Sequence, residues 1–289
     1  MRVAEALRDA ARRLEGTSDT ARLDAELLLA HALGVTRSNL LLRHMGDQVP
    51  PGFAALVERR ERHEPVAYIV GRQEFYGLDL EVTPSVLIPR GDSETLIDAA
   101  RDAWAGQAPP RRILDLGTGS GALLLAALTV WQQAEGVGID RDPSACLVAT
   151  RNAQRLGMDM HAGRVASIIQ RDWTERGWHE HLGRFDLILA NPPYVEDGAA
   201  IEPSVREWEP AGALFAGAEG LDQYRILLPQ LPDLLEPDGR AVLEIGAGQA
   251  QSVTTLARSA GFETKLVPDL GGRPRALVLA IRGWQTPTQ

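Results

Sequence analysis

Seven apolar, strand-length segments in the last two thirds of the chain restrict its fold most: RRILDLG, GVGID, VASIIQRD, FDLILA, GRAVLEIG, FETKLVPD and PRALVLAIR. Nearly continuous apolar strands need both faces buried, and helical stretches or loops separate these segments. The pattern therefore predicts an α/β sheet covered on both sides. The last two segments follow closely across the DLGGR turn, which marks the final strand as an antiparallel member.

The 289 residues suffice for one large domain with a smaller companion and a core that needs no covalent staples. From Arg2 to about Arg62 the pattern is helical, with Leu23, Leu27, Leu28 and Ala30 at helical steps. Turn signals at Gly16, Gly34, Gly46 and Pro50-Pro51-Gly52 divide it into short helices. The stretch EPVAYIVGRQEFYGLDLEVTPSVLIPR, interrupted by Gly71, Gly77 and Pro84, predicts a hairpin connecting two domains. The expected division is residues 1–85, helical with the hairpin, and residues 86–289, α/β. No internal repeat occurs, and the chain ends in a polar tail, WQTPTQ.

Composition narrows the function classes. No apolar run approaches the roughly 20 residues that span a bilayer, and the N-terminus lacks the apolar stretch of a secretory signal, so no membrane role is expected. The lone Cys146 excludes an intrachain disulfide and fits a reducing, cytoplasmic setting; its place after Pro143, where a helix is expected to start, suggests burial for packing. The net charge is −9, with 11 Arg against 13 acids in residues 1–88 and 19 Lys plus Arg against 26 acids beyond. Neither half is basic, which disfavours gripping a phosphate backbone. The pair His179 and His181 lacks the companion ligands of a metal site, and no metal is expected. A monomer is expected.

Two clusters carry chemistry. In ILDLGTGSGALLLAAL, Asp115 sits at a strand end before Gly117, Gly119 and Gly121, whose missing side chains let the backbone turn and approach a ligand. About twenty residues later Asp140 ends GVGID, where a strand-tip carboxylate accepts from ribose hydroxyls. Together they imply an adenosine-containing cofactor. Dinucleotide folds use the same pair, but their fingerprint is G-x-G-x-x-G, and the G-x-G-x-G spacing favours a methyl donor.

The second cluster is Asn191-Pro192-Pro193-Tyr194, directly after FDLILA. An amide nitrogen is a poor nucleophile with two hydrogens to donate, so a site that activates it needs two acceptors. The Asn191 side-chain oxygen and the Pro192 carbonyl supply them, both prolines stiffen the stretch, and the Tyr194 ring covers the planar amide. Trp173, just past the third segment, is a candidate to flank adenine.

With these residues the chain resembles the HemK/PrmC-type methyltransferases, which modify the glutamine of the Gly-Gly-Gln motif in peptide chain release factors. The resemblance covers ARLDAELLLAHALG, EPVAYIVGRQEFYGLDLEV and IPRGDSETLI, then ILDLGTGSG, GID, NPPYV, EPAGALFAGAEGLDQYRIL, EIGAGQ and DLGGRPRALV. It implies a seven-stranded Rossmann-like, class I S-adenosylmethionine-dependent methyltransferase domain with an N-terminal helical domain. It further implies that Gly117, Thr118, Gly119, Ser120, Gly121, Asp140, Trp173 and Asn191 contact S-adenosylmethionine. Asn191, Pro192, Pro193 and Tyr194 would hold the substrate glutamine, with Asn191, Pro192 and Tyr194 catalytic and release factors the partner. Two departures stand out: P-R-x-D-T-E reads PRGDSE, with Ser93 keeping the hydroxyl, and the second strand is followed by DRDPSACLVA.

Three other readings compete. A related enzyme that modifies a ribosomal-protein glutamine shares the tetrapeptide. Adenine-N6 DNA methyltransferases use it too, because an exocyclic amine presents the same two donors, but the acidic balance opposes direct nucleic-acid binding. An inert scaffold is opposed by the intact glycines, Asp140 and tetrapeptide. The helical domain is expected to dock the protein partner, with Arg59, Arg60 and Arg62 as contributors or as a solvated helix face. A fragment beginning near Pro84 is then expected to keep donor binding and lose activity on the intact partner.

Overall fold

The apolar segments become strands β3 (Arg112–Leu116), β4 (Glu135–Asp140), β5 (Ala166–Gln170), β6 (Phe185–Ala190), β7 (Leu235–Glu244), β8 (Phe262–Pro268) and β9 (Pro274–Ile281), after a hairpin of β1 (Arg72–Phe75) and β2 (Leu78–Glu81). They are seen in a computed structural model that describes residues 1–159 and 165–281. The polar tail WQTPTQ lies outside the described residues. Contacts divide the chain into two units: Met1–Arg72 with Ile201–Glu209, and Gln73–Ala200 with the chain from Pro210 onward.

The sheet of the larger unit has the order β5-β4-β3-β6-β7-β9-β8. Strands β3 to β7 pair in parallel, and β9 runs antiparallel to both β7 and β8. The antiparallel member follows from the short turn before it, where the Asp269 amide donates to the Arg273 carbonyl at 2.8 Å. Such a turn leaves no room for the crossover that parallel strands require.

Burial on both faces explains the continuous apolar strands. In β6, Leu187 and Leu189 enter one core cluster with Leu96, Ile97 and Leu124, while Ile188 and Ala190 enter the other with Leu116, Tyr224 and Leu243. Leu187, Ile188 and Leu189 are completely buried, each contributing roughly 1.5–3 kcal/mol through apolar burial.

The hairpin groups with the sheet rather than with the helices, a correction to the expected boundary at residue 85. Its apolar side chains explain this: Phe75 and Leu80 are buried in the cluster of Leu96, Ile97 and Leu124. The Asn152 side chain also binds the backbone of Glu81, accepting from its amide at 2.7 Å and donating to its carbonyl at 2.9 Å.

The smaller unit is helical, with Val3–Leu14, Ala21–Leu33, Phe53–Glu61 and Val66–Val70 as its principal helices. Val3, Leu7, Ala10 and Leu14 form a stripe at helical spacing that packs on Leu28, Leu29, Phe53 and Val57. The second helix departs from its expected face: Leu23 is exposed, whereas Asp24 and Glu26 are buried. Their partners are the reason. Arg60 donates to Asp24 at 2.7 Å, Ser18 and Thr20 donate to the same carboxylate, and Arg22 and Arg37 both donate to Glu26.

Two of the arginines considered for docking are therefore structural. Arg60 is buried on Asp24, and Arg59 makes a two-pronged pair with Glu64 at 2.5 and 2.7 Å. Arg62 is exposed, and its carbonyl accepts from the Trp208 indole, which ties the segment Ile201–Glu209 to this unit. Among the described residues no helix is long and apolar enough to cross a membrane.

Candidate active site

Strand register brings the chemical residues into one row. Ile139 of β4 and Ala190 of β6 both pair with Leu116 of β3, and Leu243 of β7 pairs with Ala190. The next residue on each strand, Asp140, Gly117, Asn191 and Glu244, therefore leaves the sheet beside its neighbours. These are carboxyl ends on either side of β3, where the strand order reverses, the usual ligand position in an open α/β sheet.

The glycine loop begins by turning back on β4, with the Gly117 and Thr118 amides both donating to the Ile139 carbonyl, at 2.9 and 2.8 Å. Gly117 has a φ of 74°, and a Cβ there would stand 3.1 Å from the Trp173 ring. Both the left-handed backbone and the indole thus require glycine. Trp173 is held by its own bond to Gln223, Nε1 donating to Oε1 at 2.8 Å.

Two carboxylates flank this loop. Asp140 accepts from the Gly119 amide at 2.9 Å through Oδ2 and from the Asp142 amide at 3.0 Å through Oδ1. Each oxygen keeps a further lone pair, so the expected ribose contact shares the carboxylate with the loop it organises. Burial raises the Asp140 pKa from the ordinary carboxylate range, against the pull of those two amides. Asp115 is more deeply buried; its Oδ2 accepts from the Thr118 hydroxyl at 2.6 Å, and burial pushes the carboxyl up to about 7.

Asn191 is half-buried, and its Nδ2 donates to Ser93 Oγ at 3.4 Å. Ser93 in turn donates to Glu244 Oε2 at 2.5 Å, and the Tyr194 hydroxyl donates to Glu244 Oε1 at 3.0 Å. Glu244 is fully buried, with Arg275 Nη1 at 3.9 Å and the Tyr224 hydroxyl on its backbone carbonyl at 2.8 Å. Burial raises the Glu244 pKa, opposed by Ser93, Arg275 and Tyr194. Gln249 steadies the tetrapeptide from behind, Nε2 donating to the Tyr194 carbonyl at 3.0 Å.

A cavity of about 290 Å³ lies at these strand ends. Gly117, Thr118, Gly119, Ser120, Asp140, Trp173, Asn191 and Pro193 line it; Gly121, Pro192 and Tyr194 are not on its wall. Gly121 stands at the start of the helix Ala122–Val130, packed against Leu125 and Ala149. Pro192 is buried, and Tyr194 packs its ring on the core cluster of Leu243 while its hydroxyl holds Glu244. Of the charged residues on the wall, Asp115, Asp140, Asp142 and Asp172 outnumber Arg90 and Arg141.

Cys146 is half-buried rather than buried, and its thiol donates to the Asp140 carbonyl at 3.6 Å. Burial and the nearby Asp140 charge push it up to about 11, which disfavours the thiolate. Sequence reasoning missed Glu244, Gln249 and Arg275 as parts of this site. Glu244 carried the same signal as Asp140, an acid at the carboxyl end of an apolar strand.

Residues 5–71 match the PrmC N-terminal domain, and residues 109–216 match a methyltransferase domain. The chain is 42% identical over 252 residues to the release factor glutamine methyltransferase of Geobacter sulfurreducens, covering 84% of each chain. It is 40% identical over 284 residues to that of Cereibacter sphaeroides, covering 95% of this chain and 97% of the relative. Among solved structures, the hMettl16 catalytic domain in complex with MAT2A 3'UTR hairpin 6 is similar at a TM-score of 0.53 and 14% identity, covering 74% of this chain and 78% of that one, a likeness of fold.

Proposed function

Because this chain belongs to the release factor glutamine methyltransferase family, we propose that it transfers a methyl group from S-adenosylmethionine to the side-chain amide nitrogen of the glutamine in the Gly-Gly-Gln motif of peptide chain release factors. The observation that carries this reading is the row of Asp140, Gly117 and Asn191 at adjacent strand ends, a donor site and an amide acceptor side by side.

The cavity fits such a donor. Its four carboxylates suit a cationic ligand and would repel the pyrophosphate of a dinucleotide. Asp115, on the same wall, takes the Thr118 hydroxyl on Oδ2, and the Leu124 amide also favours its ionised form. Gly117, Thr118, Gly119, Ser120, Gly121, Asp140, Trp173 and Asn191 would hold the molecule, Gly121 through the backbone turn it permits. When bound it supplies a sulfonium methyl, an electrophile that needs no further activation.

The chain's own residues act on the amide. Asn191 Oδ1 and the Pro192 carbonyl accept its two hydrogens and orient the nitrogen, Pro193 bounds the pocket, and Tyr194 stiffens the tetrapeptide through Glu244. Positioning of this kind lowers a barrier by up to roughly 7–11 kcal/mol when complete. No strong base is required: the proton becomes acidic only as the N–C bond forms at the expense of the sulfonium C–S bond, which would leave a neutral thioether, and the proton passes to water.

The N-terminal helices, in this reading, dock the body of the release factor, because a pocket for one amide cannot read its surroundings. The enzyme acts as a cytoplasmic monomer without direct contact to nucleic acid. The test incubates it with S-adenosylmethionine and purified release factor, ribosomal proteins or DNA, and locates the methyl group by mass spectrometry. Modification of the release-factor glutamine is expected; a methyl group solely on a ribosomal protein or on adenine would replace the reading.

A further inference from the structure

An asparagine is useful to an amide nucleophile only in one of its two orientations. Turned one way it offers an oxygen, and turned the other it offers two hydrogens to a group that has none to receive them. The two orientations have nearly the same shape, so packing alone discriminates poorly between them. Hydrogen bonds to the other end of the side chain must decide.

The bonds around Ser93 run in one direction. Glu244 accepts from Ser93 through one oxygen and from Tyr194 through the other. Burial raises the Tyr194 pKa above the ordinary tyrosine value, so its hydroxyl remains a donor. The Arg275 guanidinium stands 3.9 Å from the same carboxylate. With Glu244 ionised, the form that Ser93, Arg275 and Tyr194 favour against its burial, the single hydrogen of Ser93 lies on Glu244. Only lone pairs remain for Asn191, whose Nδ2 stands 3.4 Å away. The reverse orientation would set the Asn191 oxygen against the Ser93 oxygen with no hydrogen between them, a repulsive contact.

We propose that Glu244 and Ser93 are positioning residues that lock the Asn191 amide with its oxygen turned toward the substrate glutamine. This rests on the function proposed above. Neither residue touches the reacting atoms in this scheme; each acts through Asn191. The hydroxyl is what the relay needs, and a Thr at position 93 would keep it.

The discriminating variant is Glu244→Gln, close in shape to the native residue but able to donate. Its NH2 group turned to Ser93 reverses the chain, Ser93 donates to Asn191 Oδ1, and the amide turns over. For purified release factor and S-adenosylmethionine, kcat should fall about 100-fold, the scale of losing one preorganised group in a transition state. The KM for release factor and the donor affinity by calorimetry should stay within about threefold of wild type. Ser93→Ala, which removes the lock without reversing it, should lower kcat about tenfold, and Ser93→Thr should restore it to within about threefold of wild type.

These variants also carry a readout that needs no turnover. In the free protein the side-chain ¹⁵N–¹H₂ signals of Asn191 should move in Glu244→Gln and Ser93→Ala and stay near wild type in Ser93→Thr. Unmoved signals and wild-type kcat in the first two variants would overturn the proposal. Equal losses of kcat and donor affinity would overturn it as well, by making the network merely structural. Should Glu244→Gln fail to fold, the Ser93 pair decides by the same criteria. If the wild-type protein leaves release factor unmodified, the function falls, while the Asn191 signals still test the lock.

Discussion

In the helical unit, Asp24 gives its carboxylate to Ser18, Thr20 and Arg60, and Glu26 gives its own to Arg22 and Arg37. At the strand ends of the α/β unit, Asp115 is just as buried and Asp140 half-buried, and both line the cavity. The first pair of acids is ion-paired to arginines of its own unit; the second accepts hydroxyl and amide donors and has no ion pair among the described residues. Burial and charge alone therefore do not identify a site. What separates these structural acids from the strand-end ones is whether a cation of the same unit neutralises them.

The largest effect that would break this comparison belongs to the helical unit. Asp24→Ala leaves the Arg60 guanidinium buried without its carboxylate and should cost about 3–5 kcal/mol of stability. Urea unfolding would measure it, with donor affinity unchanged. A parallel loss of donor binding would mean that Asp24 belongs functionally with the strand-end acids.

Asn191→Ala comes next. It removes an acceptor for the reacting amide, and kcat should fall about 100- to 1,000-fold, equivalent to about 2.7–4 kcal/mol. Saturation kinetics would show KM for the protein substrate changing far less. Full turnover in this variant would contradict the role assigned to the tetrapeptide.

Asp140→Ala sharpens the contrast between ion-paired and unpaired carboxylates. Losing a charge-assisted bond should weaken S-adenosylmethionine binding by about 1.5–3 kcal/mol, roughly ten- to a hundredfold. Because Asp140 also receives the Gly119 and Asp142 amides, the glycine loop should loosen at the same time. Calorimetric titration with unchanged affinity would remove Asp140 from the donor site.

The smallest effect concerns Cys146. With its thiol at about 11, only about 0.1% is thiolate at pH 8, so alkylation by iodoacetamide should be slow and should accelerate with each pH unit up to about 11. Rapid labelling at pH 7, followed by mass spectrometry, would show that the burial and the Asp140 charge do not protect it.

The expected truncation near Pro84 needs moving for the same structural reasons that set the unit boundary. A cut there would strip Phe75 and Leu80 from the sheet's core. A fragment beginning at Gln73 keeps them, although Ile201–Glu209 would lose the helices it packs with. Such a fragment should bind the donor and methylate intact release factor poorly; undiminished kcat/KM would end the docking proposal.

What the amino-acid order determined by itself is local or periodic. Seven apolar runs dictated a sheet buried on both faces, the DLGGR turn dictated an antiparallel last strand, and Gly117 with Asp140 announced a nucleoside-type pocket from a span of about twenty residues. Asn191 to Tyr194 declared its amide chemistry in four. None of this needed knowledge of which strand lies beside which. The face of the second helix was illegible, because Asp24 becomes a core residue only once Arg60, 36 positions away, reaches it. The same holds for the support of Asn191: Ser93 and Glu244 are 151 positions apart and meet only because the helix Glu94–Ala103, which Ser93 precedes, packs on β7. Motif residues speak through their own backbone geometry, which is written locally, whereas a hydrogen-bond partner is decided by sheet order and register, which only the folded chain possesses.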